Sequence, residues 1–197
     1  MVYKRANTNT MHNSHRKNFD LAGIASEIGV FTPDECDSII ALALQLEERE
    51  TPVFTAGGLK SDSSIRSARQ YVMTENDFTG LYSHIRRVFV AGNFLKFHYN
   101  EISIQVMRYR VGDFYAPHTD WSVNKLHRKL SMSIQLSPPD DYVDGDVYIH
   151  AGPDSVPISR EQGVATVWPS WTLHEVAQIT SGERWALVSW AEGQPFT

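Results

Sequence analysis

Apolar and polar residues change their spacing once along this chain, near residue 100. Before that point the spacing is helical. Thr32, Pro33, Asp34 and Glu35 combine a capping-box start with proline at the first helical position. Ile39, Ile40, Leu42, Leu44 and Leu46 follow, which predicts a helix over about 33–49. Residues 51–64 (TPVFTAGGLKSDSS) are turn-rich and predict a mobile connection to a short strand near 65–73, with 51–70 as a lid or rim over a substrate. Phe78, Leu81, Tyr82, Ile85, Val88, Phe89 and Phe94 recur at helical spacing and predict a second helix over about 75–96.

Beyond residue 100 the period becomes two. The runs EISIQVMRYR, KLSMSIQL, GDVYIHA, GVATVWP and RWALVSWA are strand-like and are separated by Gly, Pro and Asp turns. Helices followed by strands predict a mostly β fold carrying its helices on one side, an antiparallel sheet pair or barrel. Within 129–137, Leu130, Met132, Ile134 and Leu136 share one strand face, and Ser131, Ser133, Gln135 and Ser137 share the other. Such a polar face is ordinarily half exposed, but it can also line a wet pocket inside a barrel.

With 197 residues and 22.3 kDa, the chain fits one domain. We divide it into a disordered tail at 1–17, which carries His12 and His15, and a single domain at 18–197. That domain has helical support over about 33–96 and a β core over about 100–192. A net charge of -5 disfavours a nucleic-acid partner. Cys36, the single cysteine, reads as a small apolar helix residue rather than a catalytic thiol and forms no intrachain disulfide, as expected of a reducing compartment. No apolar run approaches the roughly 18 residues of a membrane span, and the polar start lacks the apolar core of a signal peptide. The expectation is a soluble cytoplasmic protein with no membrane association; nothing in the sequence specifies its oligomeric state.

Candidate chemistry begins at His118 and Asp120. On extended backbone an H-x-D pair points both side chains to one side, with α-carbons about 7 Å apart. His174, in WPSWTLHEV, would complete a two-histidine, one-carboxylate face that leaves half an octahedron open, the ligand pattern of non-haem Fe(II) oxygenases. Arg184 then heads the run Arg184, Ala186, Val188 and Trp190 on one strand face. A buried arginine needs an anion, and its planar fork suits a carboxylate. If the iron ligands were absent, Arg184 would instead read as a surface residue after the Ser181-Gly182 turn. A zinc hydrolase would use similar donors, but it needs a general base, which is not visible, and leaves Arg184 idle. Trp121, beside the metal motif, borders the substrate or packs. Trp168, Trp171, Trp185 and Trp190 read as core, while Arg66 and Arg69 face either an acidic substrate or solvent.

The segments YRVGDFYAPHTD (109–120), RKLSMSIQLSPPDDYVDGDVYI (128–149) and WPSWTLHEVAQITSGERWALVSW (168–190) resemble the prolyl 4-hydroxylase-like branch of the Fe(II)/2-oxoglutarate oxygenases, especially the PKHD-type hydroxylases. The resemblance implies a double-stranded β-helix (jelly-roll, cupin-like) core. It implies Fe(II), 2-oxoglutarate and O2, with ascorbate as a supporting reductant. By position, His118, Asp120 and His174 resemble the iron ligands, Arg184 the partner of the cosubstrate's far carboxylate, and Tyr109 a supporting phenol. Ser131 and Ser133 match small polar pocket positions. Asp120 points to hydroxylation, because the similar halogenases carry a small residue there. The implied reaction is hydroxylation of an unactivated C–H bond in a peptidyl or small, amino-acid-like substrate, releasing succinate and CO2. The alternative is a non-catalytic cupin-like domain that binds a metal or a small acid. Two features depart from the family pattern: Asp144-Gly145 replaces the usual glycine pair, and the N-terminal half matches only through FTPDECDSII and IRSARQ.

Overall fold

Strand Arg184–Glu192 is hydrogen-bonded antiparallel on one side to Glu101–Tyr109 and on the other to Arg128–Gln135. The computed structural model describes residues 25–55, 58–60, 62–122, 125–151 and 154–195, so the expected tail at 1–17 lies outside the described residues. Around the three central strands a seven-stranded sheet runs in the order Ser26–Gly29, Val164–Pro169, Arg128–Gln135, Arg184–Glu192, Glu101–Tyr109, Arg69–Met73 and Arg49–Glu50. A five-stranded sheet runs Asp154–Pro157, Val147–Ala151, His174–Val176, Phe114–His118 and Arg66–Ser67. These two antiparallel sheets make the mostly β sheet pair that the alternating runs predict, arranged as the jelly-roll core that the resemblance implies. The large sheet also takes strands from the N-terminal half, Ser26–Gly29 and Arg69–Met73, so the β core is wider than 100–192.

Alternation along the strands sorts the residues between two cores. Ile102, Ile104 and Val106 join Leu130, Ile134, Val167 and Leu187 in a cluster with the helices, where Cys36, Ile39, Ile85 and Phe89 are buried. Met107 and Tyr109, on the opposite face of the same strand, join Val147, Ile149, Trp168 and Val176 between the sheets. The helices therefore cover one face of the large sheet and the small sheet covers the other. Strand Arg128–Gln135 is consequently buried on both faces, and its serines and glutamine are as enclosed as its leucine and isoleucine. Cys36 is fully buried, and its thiol is pushed up to about 12, mainly by burial, which suits an inert packing residue.

Both helices are shorter than their periodicity suggests. The first spans Pro33–Ala43 and carries the full capping box between Thr32 and Glu35. Leu44, at its C-cap, is 56% exposed, and Leu46 packs against the core from the turn beyond the helix end. The second spans Thr79–Gly92. Asn93 stops it by bonding both backbone groups of Phe97: Oδ1 accepts from the amide and Nδ2 donates to the carbonyl, each at 2.8 Å. The predicted connection at 51–64 contains a paired strand, Val53–Thr55 with Gly58–Lys60; residues 56, 57 and 61 lie outside the described ones. Asp144 and Gly145 both take positive φ, 59° and 70°, so this turn keeps a left-handed path although aspartate fills one position. The Asp144 carboxylate accepts a bond from the Thr180 hydroxyl.

Gly163 ties the N-terminal segment to the sheet. Its carbonyl accepts from the amides of Val30 and Phe31, and its own amide donates to the Gln135 carbonyl. It sits at φ +80°, and an added Cβ would lie 1.9 Å from the Phe31 carbonyl oxygen. Gly112 has φ +89° but nothing within 4 Å of such a Cβ. In chemical unfolding, Gly112→Ala should cost only the backbone strain, about 1 kcal/mol, and Gly163→Ala clearly more. Equal losses would contradict the close approach at Phe31.

Candidate metal centre and its cavity

The small sheet brings the sequence-predicted ligands together. His118 ends strand Phe114–His118, and His174 begins its neighbour directly opposite. Asp120 lies in the bend after the strand rather than on it, so this bend, not continued extended backbone, turns its carboxylate toward the histidines. One ligand atom from each of the three residues lies within 4.8 Å of the others, and Asp120 and His174 are buried. The Asp120 oxygens are 3.9 Å from His118 Nε2 and 3.5 Å from His174 Nε2.

Each imidazole is held in the same way. Nδ1 of His118 donates to the Ala116 carbonyl at 2.9 Å, and Nδ1 of His174 donates to the Thr172 carbonyl at 2.9 Å. This tautomer leaves each Nε2 a free lone pair facing the carboxylate. Ser131 Oγ donates to Asp120 Oδ2 at 2.7 Å and lies 3.0 Å from Ser170 Oγ. Arg128 stands 3.6 Å from Asp120 Oδ1. Burial alone would raise the Asp120 carboxyl; the imidazoles of His174 and His118, with Arg128, outweigh it and hold the group below the usual carboxylate range. His118 is pushed down to about 3, first by burial and then by His174, so its ring is neutral at neutral pH. Two imidazoles and a carboxylate on one side of a cavity suit a divalent ion such as Fe(II) and leave coordination positions open.

The cavity beside these groups measures about 220 Å³. Arg184 lines it, only 2% exposed, which excludes the surface-residue reading. Its Nε and Nη2 donate to Gln135 Oε1 at 3.1 and 2.8 Å, and its guanidinium carbon lies 5.4 Å from the Tyr109 ring centroid. Among the described residues no carboxylate lies within 4.0 Å of it. Tyr109 faces Arg184 across the strand pair and lines the same cavity, as does Ser133.

Other predicted positions divide. Arg66 reaches the cavity with Pro52 and Gln70, so part of 51–70 forms its rim. Arg69 does not line it and pairs with Glu48 at 3.5 Å. Trp121 is half-buried and outside the lining, its backbone amide bonded to the Ser170 carbonyl. Trp168, Trp185 and Trp190 are buried core residues as read, and Trp168 and Trp190 also wall the cavity, whereas Trp171 is 44% exposed. Tyr115, Arg128 and Gln135 were not singled out as site residues. Gln135 was visible on the polar face of its strand. Tyr115 was hidden by a bulge: two residues separate it from His118, but only Glu175 separates their partners His174 and Val176. Its ring consequently stacks on His118, with centroids 3.4 Å apart.

Residues 104–192 match the family model of the 2OG-Fe(II) oxygenase superfamily. A PKHD-type hydroxylase of Parvibaculum lavamentivorans is 38% identical over 92 residues, which is 46% of this chain and 42% of the relative. One from Maricaulis maris is 42% identical over 89 residues, 44% of this chain and 40% of the relative. The chain thus spans less than half the length of these curated relatives in the matched region. A Pseudomonas putida prolyl-4-hydroxylase shares the fold with a TM-score of 0.69, at 19% identity over 88% of this chain and 96% of that one. A prolyl hydroxylase from Trichoplax adhaerens, solved with a peptide fragment of hypoxia inducible factor, has a TM-score of 0.70 at 16% identity, covering 85% and 83%.

A neutral, buried His118 has a consequence for the metal-free protein. Its folded pKa lies below the ordinary 6.5, so in acid the unfolded chain takes up the proton first. Stability should be undiminished above about pH 6.5 and fall as pH drops toward 3. His118→Gln should lose less between pH 6.5 and 4, measured by thermal unfolding without metal. An identical slope in the variant would contradict the assignment.

Proposed function

We propose, from the match of residues 104–192 to the 2OG-Fe(II) oxygenase superfamily model, that this chain is an Fe(II)- and 2-oxoglutarate-dependent dioxygenase that hydroxylates an unactivated C–H bond of a peptidyl or small, amino-acid-like substrate. One observation carries the reading. A face of two imidazoles and a carboxylate shares a small cavity with a buried guanidinium that no described carboxylate neutralises. A metal site alone gives no reason to bury that cation, whereas a dicarboxylic cosubstrate needs both features.

In this reading His118 and His174 hold the ion through Nε2 and Asp120 through its carboxylate. When bound, iron and 2-oxoglutarate supply the activation of O2, with loss of CO2, formation of succinate and transfer of one oxygen atom to the substrate. The protein's own groups bind and orient. The carbonyls of Ala116 and Thr172 fix the imidazole planes, and Ser131 fixes the carboxylate. Gln135 presents the Arg184 fork to the far carboxylate, with Tyr109 beside it. Ser133, Trp168, Val188 and Trp190 wall the cavity and limit water around the reacting C–H bond. No protein nucleophile or general base is needed. Among the described residues no helix is long and apolar enough to cross a membrane. The single buried cysteine supports a reducing, cytoplasmic setting.

The direct test is mass spectrometry of candidate substrates incubated with Fe(II), ascorbate and 2-oxoglutarate, with an expected gain of one oxygen and stoichiometric succinate. His174→Ala should abolish turnover and keep the fold; full activity in it would sink the metal assignment. Losing a charged hydrogen-bonded partner costs about 1.5 to 3 kcal/mol. The KM for 2-oxoglutarate should therefore rise roughly tenfold to a hundredfold in Arg184→Gln and less in Arg184→Lys. Iron binding should survive both changes, and an unchanged KM in Arg184→Gln would move the anchor elsewhere.

A further inference from the structure

Among the described residues three arginines line the cavity, and only one of them has a carboxylate partner there. Arg128 pairs with Asp120 and Glu192, at 3.6 and 3.5 Å. Arg184 awaits the cosubstrate in the reading above. Arg66 has neither. Its guanidinium carbon lies 4.3 Å over the Tyr115 ring, and Nη2 reaches only the Met107 sulfur, at 3.7 Å. Its Nε is buried with no hydrogen-bond partner. Among the described residues no Asp or Glu lies within 4.0 Å of this guanidinium. A guanidinium carries five donors and a thioether is a weak acceptor, so most of its hydrogen-bonding capacity is unmet in a partly dehydrated place.

Arg66 is also placed apart from Arg184. It sits on the edge strand of the small sheet, directly opposite Tyr115, while Arg184 belongs to the central strand of the large sheet. Tyr115 stacks on His118 with centroids 3.4 Å apart, so a single aromatic ring separates Arg66 from the metal face. Lys125 lines the same cavity and adds positive charge near Arg66; burial, then Arg128, pushes its ammonium down to about 8, and Arg66 contributes further.

We propose that Arg66 forms a second anion subsite, on the opposite sheet from the cosubstrate anchor, which selects a substrate carrying a carboxylate. This rests on the oxygenase reading and narrows its substrate class. The group recognised is a carboxylate, whether the terminal one of a small amino-acid-like molecule or the side chain of an acidic residue in a peptide. Held at Arg66 across Tyr115 from His118, it would place neighbouring C–H bonds toward the metal face.

The test measures binding to the protein loaded with 2-oxoglutarate and Mn(II), which does not turn over. The probes are two matched pairs: N-acetylalanine against N-acetylalaninamide, and N-acetylaspartyl amide against N-acetylasparaginyl amide. In at least one pair the acid should bind at least about tenfold more tightly than its amide. Arg66→Gln should remove that preference while leaving 2-oxoglutarate affinity unchanged. The first pair reports a terminal carboxylate and the second a side-chain one. Equal binding of acid and amide in both pairs, failure of every acid to bind, or an undiminished preference in Arg66→Gln would overturn the subsite. A loss of 2-oxoglutarate affinity in Arg66→Gln would also overturn it, by making Arg66 a cosubstrate residue. Failure of 2-oxoglutarate to bind wild-type protein would count against the oxygenase reading itself, so the two failures are distinct.

Discussion

Register along strand Arg184–Glu192 decides what the cavity contains. The strand is paired on both sides, Arg184 opposite Tyr109 and Val188 opposite both Gln105 and Ser133. Because strand side chains alternate with a period of two, a slip of one residue would turn Arg184, Val188 and Trp190 toward the helices and Leu187 into the cavity. The helix-side core opposes that slip: Leu187, Ile104, Val106, Ile134 and Val167 are almost completely buried together. Apolar packing on one face of the sheet thus holds a polar, unsatisfied arrangement on the other.

That arrangement is costly without ligands. A buried guanidinium bonded to an amide oxygen and a half-buried one over a tyrosine ring both lack full partners. Proteins keep such groups where binding repays the burial. Gln135 links the two regimes: its side chain holds Arg184, and its carbonyl accepts from Gly163 and faces the Cys36 thiol at 3.8 Å. The helix-side packing and the cavity-side fork thereby meet at one residue.

Much of this was legible in the sequence, because alternation and burial answer the same geometry. The strand runs after residue 100 and the split faces of 129–137 follow from period two; His118, Asp120 and His174 were picked out by residue chemistry, although a bend rather than extended backbone turns Asp120 to the histidines. What escaped needed three-dimensional context. The helices at 33–49 and 75–96 were overextended because leucines and phenylalanines continue past the ends set by Leu44 and Asn93. Tyr115 escaped because a bulge changes face parity without a mark in composition. Trp168 and Trp190 are core residues as read, but their second role as cavity walls escaped because a buried aromatic looks the same in sequence with or without a cavity beside it. Arg66 and Arg69 are near neighbours in sequence, and only the position of Glu48 separates the paired one from the unpaired one.

In the proposed function one cavity holds a metal at His118, Asp120 and His174 and a keto acid anchored at Arg184. Anaerobic titration of 2-oxoglutarate into the Fe(II)-loaded protein, followed by visible absorption, tests it most directly. A charge-transfer band should appear that requires both Fe(II) and 2-oxoglutarate and saturates at one equivalent per chain. Binding of 2-oxoglutarate with equal affinity in the absence of metal, without such a band when both are present, would contradict it.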